Sequence, residues 1–193
     1  VVQSKQIFIF GLESSGTRYL SRTLAQSIQP TRWDGQRPAC WTHNSSKIVH
    51  YSLPWGWICK SKFPLVAHDY DLCKTKSSHR FFANITTLLK STKDSKAIII
   101  VRGKRCRLSS VVKIHCRNAT HAQLEHSFGA QIIRDALVAV PNQVLLVSFE
   151  LLGAFHKYTW HKIYKFLGLK HQIDKLEKFK RPKCMIDPFS STL

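Results

Sequence analysis

Ile7-Phe8-Ile9-Phe10, followed at once by Gly11-Leu12-Glu13-Ser14-Ser15-Gly16-Thr17-Arg18, decides the fold of this chain. An unbroken apolar run between polar flanks predicts a short strand buried on both faces. The next segment is small and rich in hydroxyls, and from about Thr17 to Ser27 the spacing is helical. Strand, small-residue turn and helix together form a geometry that holds phosphate. The first amides of a helix lack intrahelical acceptors, and the helix dipole adds partial positive charge there. Gly16 lets the backbone approach an anion, Ser14, Ser15 and Thr17 offer hydroxyls, and Arg18 offers a fixed cation. Gly11 and Gly16 have the spacing of a Walker A loop, but the Lys that should follow Gly16 is replaced by Thr17. That Lys reaches the β- and γ-phosphates of a nucleoside triphosphate. Its absence, with no evident Asp closing an apolar strand for Mg²⁺, makes a P-loop nucleotide kinase or NTPase a weaker alternative.

Working outward, 193 residues predict a single domain spanning residues 1–193 with a proper core. Lys and Arg number 30 against 11 Asp and Glu, a net charge of +19. Such an excess favours anionic partners: a nucleotide, a sulfated or phosphorylated substrate, a lipid surface or nucleic acid. The charge is spread along the chain with no separate basic arm and no nucleic-acid signature, so no nucleic-acid partner is expected. Six cysteines, none in a C-x-x-C pair, argue against a zinc ribbon. Three sequons, at Asn44, Asn84 and Asn118, join the even cysteine count in pointing to the secretory pathway, with disulfides permitted. No apolar stretch approaches the roughly 20 residues of a membrane span. The chain enters its first core strand within a few residues of Val1. We therefore expect an anchor or signal upstream and any membrane attachment through it.

Lys47–Leu53 and Phe63–Ala67 read as further strands, and Thr31–Thr42 as a loop. Ser77–Lys90 reads as a helix capped by Ser77 or Ser78, with Phe81 and Phe82 on its apolar face. Ala97–Val101 is apolar throughout, β-branched from Ile98 on, and predicts a strand buried on both faces. A helix to about Ile114, a longer one over Gln123–Val140, a strand at Val144–Val147 and a helix over Phe155–Leu167 stopped by Gly168 follow, then a basic tail from about Lys170. Strands alternating with helices predict an α/β fold with a central parallel sheet, whose ligands lie at the carboxyl ends of the strands.

A second anion site is predicted directly after Val101, where Arg102, Lys104, Arg105 and Arg107 crowd together ahead of Ser109 and Ser110. Guanidinium and hydroxyl groups at that spacing can clamp a phosphate. A solvated basic helix start is the plainer reading of the same residues. Two anion sites on one sheet edge suit a ligand with two separated phosphates.

Three motifs in order now resemble the sulfotransferase superfamily. Leu12-Glu13-Ser14-Ser15-Gly16-Thr17-Arg18 is similar to its first loop, which grips the 5′-phosphosulfate of 3′-phosphoadenosine 5′-phosphosulfate. Val101-Arg102 with Ser110 is similar to the V-R and S pair that grips the 3′-phosphate. Val147-Ser148-Phe149-Glu150 and Phe166-Leu167-Gly168-Leu169 resemble its C-terminal strand, Glu-bearing turn and helix end. The resemblance implies a three-layer α/β/α, P-loop NTPase-like architecture, that sulfate donor as cosubstrate, no metal, and a hydroxyl-bearing acceptor. Cofactor-binding residues carried over are Ser14, Ser15, Gly16, Thr17, Arg18, Arg102 and Ser110.

Many members carry Lys or Arg where Ser14 stands, and Arg18 is then the candidate to supply the missing charge. A catalytically inactive module of the same fold, binding a nucleotide or an anionic glycan, is the alternative. Lys47–Pro54 is similar to the family segment that carries the base, which makes His50 the first candidate and Glu13 and His68-Asp69 its rivals. His50 as an ordinary hydrogen-bonded strand histidine is the competing interpretation. Trp33, Trp41, Trp55 and Trp57 suit either stacking on a sugar or packing on the core. His115, His121 and His126 lack companion ligands and predict no metal site. The net charge and the secretory signals together predict a glycan or glycoconjugate acceptor and a Golgi lumenal location, while the motifs themselves suit a tyrosine hydroxyl or a small metabolite equally.

Overall fold

The computed structural model describes residues 7–28, 41–42, 48–53, 65–67, 81–92, 94–115 and 118–169. Its first half runs β1 (Ile7–Leu12), α1 (Thr17–Ile28), β2 (Trp41–Thr42), β3 (Ile48–Leu53), β4 (Leu65–Ala67), β5 (Phe81–Ala83) and α2 (Ile85–Ser91). Its second half runs β6 (Lys96–Val101), α3 (Lys104–His115), α4 (Ala119–Ala139), β7 (Val144–Ser148), α5 (Phe149–Ala154) and α6 (His156–Leu167). The main sheet has the order β2-β3-β1-β6-β7. β3, β1, β6 and β7 are parallel, and two-residue β2 adds an antiparallel edge. β1 is therefore flanked by strands on both sides, with Ile9 in register with His50 and with Ile98. Helices packed on both faces of the sheet leave it no solvated face either, which is why its sequence is continuously apolar.

Alternate residues of the sheet feed two cores. Phe8, Phe10 and Ile99 pack with Leu88 of α2 and Ile133 and Ala136 of α4. Ile7, Ile9 and Ile98 pack with Leu20 and Leu24 of α1, and with Trp160 and Ile163 of α6. The result is the predicted three-layer α/β/α arrangement. β1 crosses through α1 to β3 on one side, and β6 crosses through α3 and α4 to β7 on the other. The chain thus reverses direction between β1 and β6, and a crevice opens beyond their carboxyl ends at such a switch point.

Two local expectations are corrected. The helix expected over Ser77–Lys90 begins only at Ile85, and Phe81–Ala83 is a strand paired antiparallel with β4. Asn84 sets the boundary, because its side-chain oxygen accepts a bond from the Thr87 amide and caps α2. Residues 77–80, with the predicted caps, lie outside the described residues. β4 consequently belongs to this two-stranded sheet and not to the central one. Trp41–Thr42, read as the end of a loop, is the edge strand β2. Gly168 ends α6 as expected, in the left-handed conformation at φ 69°. Trp33, Trp55, Trp57, His68, Asp69 and the basic tail from Lys170 lie outside the described residues.

Candidate functional site

The site is built where β1 and β6 end. After Leu12 the chain turns tightly, with the Ser15 amide donating to the Leu12 carbonyl at 3.0 Å. Ser14 takes a left-handed φ of 64° and Gly16 a φ of 92°. A Cβ on Gly16 would stand 2.4 Å from the Phe149 ring, so only glycine permits this turn over that ring. Helix α1 starts immediately, and its first amides point out of the turn as at any helix N-terminus. Ser14 and Gly16 are half-buried and Arg18 is exposed, whereas Ser15 and Thr17 are turned inward. The Ser15 hydroxyl is enclosed without a hydrogen-bond partner among the described residues.

Arg102 follows β6 and joins both predicted anion sites. Its Nη1 donates to the Ser14 carbonyl at 2.9 Å and to Ser110 Oγ at 3.4 Å. Its Nη2 lies 2.9 Å from Cys106 Sγ. Cys106 is disulfide-bonded, and its partner lies outside the described residues, where every other cysteine falls. The Arg102 guanidinium also covers the Phe149 ring at 5.1 Å. Burial lowers the Arg102 pKa, and the nearby Glu150 charge opposes that shift. Glu150 accepts a bond from the Gly103 amide at 2.9 Å and another from Ser148 Oγ at 2.9 Å. Phe149 and Glu150 thus brace the loop and Arg102 from below. The sequence flagged them only as part of a C-terminal resemblance.

The four crowded cations do not act alike. Lys104 and Arg105 are exposed, but Arg107 is only 1% exposed. It donates from Nε to His126 Nδ1 at 3.1 Å, from Nη2 to the Ala122 carbonyl at 3.1 Å, and from Nη1 to the Glu13 carbonyl at 3.4 Å. The crowd of cations noted after Val101 is therefore divided, with Arg107 turned into the protein. Residues 105 and 107 lie about 200° apart around a helix, and the packing of α3 on α4 buries the second.

Glu13 is 7% exposed and couples electrostatically to Arg107. It is enclosed with that arginine and does not lie on the open face. His50 occupies a mid-strand register position opposite Ile9, three residues before β3 ends at Leu53. At about 3.3 Å per residue, its backbone lies roughly 10 Å short of the strand's carboxyl end. His126, one of three histidines considered for metal binding, is engaged by Arg107.

These features define a doubly wound α/β protein with a phosphate-type loop at its switch point and a tethered arginine beside it. A model of the sulfotransferase domain family matches residues 4–183, nearly the whole chain. The chain belongs to that family and is a sulfotransferase, an enzyme that transfers a sulfuryl group to an acceptor. No curated protein matches it.

Proposed function

We propose that this enzyme moves a sulfuryl group from 3′-phosphoadenosine 5′-phosphosulfate to a hydroxyl group of a carbohydrate. The observation that carries the reading is the bridge made by Arg102, which spans from the loop carbonyl of Ser14 to Ser110. A nucleoside with phosphate groups at both ends needs two anion sites on one sheet edge, and this bridge makes two such sites neighbours. The donor groups suit that ligand: a helix N-terminus, the positive-φ glycine turn that leads into it and a guanidinium.

In this reading Ser14, Ser15, Gly16, Thr17 and Arg18 hold the 5′-phosphosulfate, and Arg102 with Ser110 holds the 3′-phosphate. The acceptor oxygen bonds to sulfur as the bond from sulfur to the bridging phosphate oxygen breaks. The acceptor proton passes to a base, for which we propose His50 ahead of Glu13: Glu13 is enclosed with Arg107, while the His50 backbone stands roughly 10 Å short of the strand end. Arg18 and the N-terminus of α1 face the charge that grows on the departing phosphate. The net charge of +19 suits an acidic glycan acceptor. Three sequons and the disulfide at Cys106 support an oxidising secretory compartment, which we take to be the Golgi lumen.

Ser14, standing where the resembled family carries a cation, favours one other reading: a module that binds the donor without transferring sulfate. Calorimetric titration with 3′-phosphoadenosine 5′-phosphate, using ATP for comparison, tests the cradle. Binding is expected to be lost in Arg102→Ala and weakened in Ser110→Ala, and a preference for ATP would sink the proposal. Transfer to a panel of glycans is then expected, abolished by His50→Gln with bisphosphate binding intact. Binding with no transfer to any acceptor would select the binding-only module.

A further inference from the structure

Arg107 lies behind the loop and contacts three separate parts of the chain. From one guanidinium it bonds Glu13 in the β1–α1 loop and both Ala122 and His126 in α4, while its own backbone belongs to α3. The carbonyl next to that of Glu13 is held by Arg102. Two arginines flanking the start of α3 therefore hold two consecutive loop carbonyls, those of Glu13 and Ser14. A peptide unit is planar and trans, so pulling a carbonyl to one side turns the following amide to the other. Arg107 thereby sets the plane of the Glu13–Ser14 peptide at the point where the backbone enters its left-handed turn.

We propose that Arg107 is a positioning residue for the phosphate-type loop, and that His126 serves it as an uncharged acceptor on α4. The inference rests on the reading of that loop as the donor cradle. Nothing on the solvent side calls for a cation at this position, because Arg107 is enclosed. Its charge is balanced from within: Glu125 and Glu13 both lie close enough to stabilise it, and Glu125 is itself fully buried. Lysine cannot take over the role, since a single ammonium on a flexible stem lacks the planar fork that reaches acceptors in three directions.

His126 makes the arrangement sensitive to pH. Its Nδ1 accepts the bond from Arg107 Nε, so it carries no proton there and any proton of the neutral ring sits on Nε2. From α3 it faces Arg107 and Lys104; the loop's Glu13 and its own helix's Glu125 face Arg107. Burial first, and then the two cations, lower its pKa. Protonation replaces an acceptor by a donor and sets two cations against each other, releasing Arg107 from α4. Asn in place of His126 keeps an acceptor oxygen near the position of Nδ1 and cannot titrate.

The test measures bisphosphate affinity by calorimetry and loop opening by amide hydrogen exchange, in wild type, Arg107→Lys and His126→Asn. At pH 7.5 we expect Arg107→Lys to weaken 3′-phosphoadenosine 5′-phosphate at least tenfold. Exchange over residues 13–17 should quicken while β6 stays protected. His126→Asn should stay within about threefold of wild type, and should lose less affinity than wild type when the pH falls to 5.5. Arg107→Lys binding within twofold of wild type, with unchanged loop exchange, overturns the proposal. Equal losses on acidification overturn the part given to His126. If the wild type binds no bisphosphate, the reading of the loop as a donor cradle fails instead, and the exchange data alone decide whether Arg107 positions it.

Discussion

Substituting Gly16 by Ala tests the geometry of the loop most directly. The added methyl faces two obstacles. At φ 92° an L-residue is strained, by about 1–2 kcal/mol for a left-handed backbone. The new Cβ would also fall 2.4 Å from both Cδ2 and Cε2 of Phe149, which essentially no real contact permits. Relief requires moving a ring that is packed in the core of the α1 and α6 face and covered by Arg102. Overpacking of this kind costs about 1–3 kcal/mol. The sum, on the order of 3 kcal/mol, is a large part of the 5–15 kcal/mol that holds a domain together. For a chain of this size it lowers Tm by roughly 10 °C. Differential scanning fluorimetry reads it directly, and Gly103→Ala is the control. At Gly103 the nearest atom to a new Cβ is Glu150 Oε1 at 3.4 Å and φ is ordinary, so Tm is expected to hold within about 2 °C. The double variant Gly16→Ala/Phe149→Leu should show coupling, the steric part shrinking while the backbone strain persists. A Gly16→Ala protein that melts within 2 °C of wild type would refute both the left-handed turn and its contact with Phe149.

Asn84→Ala removes the acceptor for the Thr87 amide and should cost about 1 kcal/mol of stability, whereas Asn84→Asp should cost little; urea unfolding distinguishes them. Acidification tests His126 and His156, both held below their ordinary value of 6.5 chiefly by burial. Below that pH the unfolded chain binds protons that these two rings refuse, so stability is full above 6.5 and declines as pH falls toward their folded values. The double variant His126→Asn/His156→Asn should show a shallower fall in Tm between pH 7 and pH 5, and superimposable curves would remove this account.

The strand, turn and helix from Ile7 onward were legible because each depends on neighbours in sequence. A strand covered on both faces must be apolar throughout, and a left-handed turn under a helix demands a small residue such as Gly16. The same holds for β6, which places Arg102 at the strand end beside the loop. Together with a family pattern spread over the chain, these local rules were sufficient for the layers and for placing the Gly16 turn and Arg102 side by side at the strand ends. They were insufficient at Phe81–Ala83, where two aromatic residues fit a helical face as well as a strand, and pairing with distant β4 decided the outcome.

Sequence spacing showed four cations near Val101 but not which way each points. Arg107 faces inward because α4 docks against α3 and supplies Ala122 and His126 as acceptors, a contact made by residues 15 and 19 positions away. Phe149 acquires its role only when β7 lies beside β6 and brings the ring beneath Gly16 and Arg102. Local propensity and patterning therefore determined the elements of this protein and the chemistry at their ends. Long-range packing alone decided which polar groups stay open to solvent and which brace the loop, because only a partner element can supply acceptors for a buried charge.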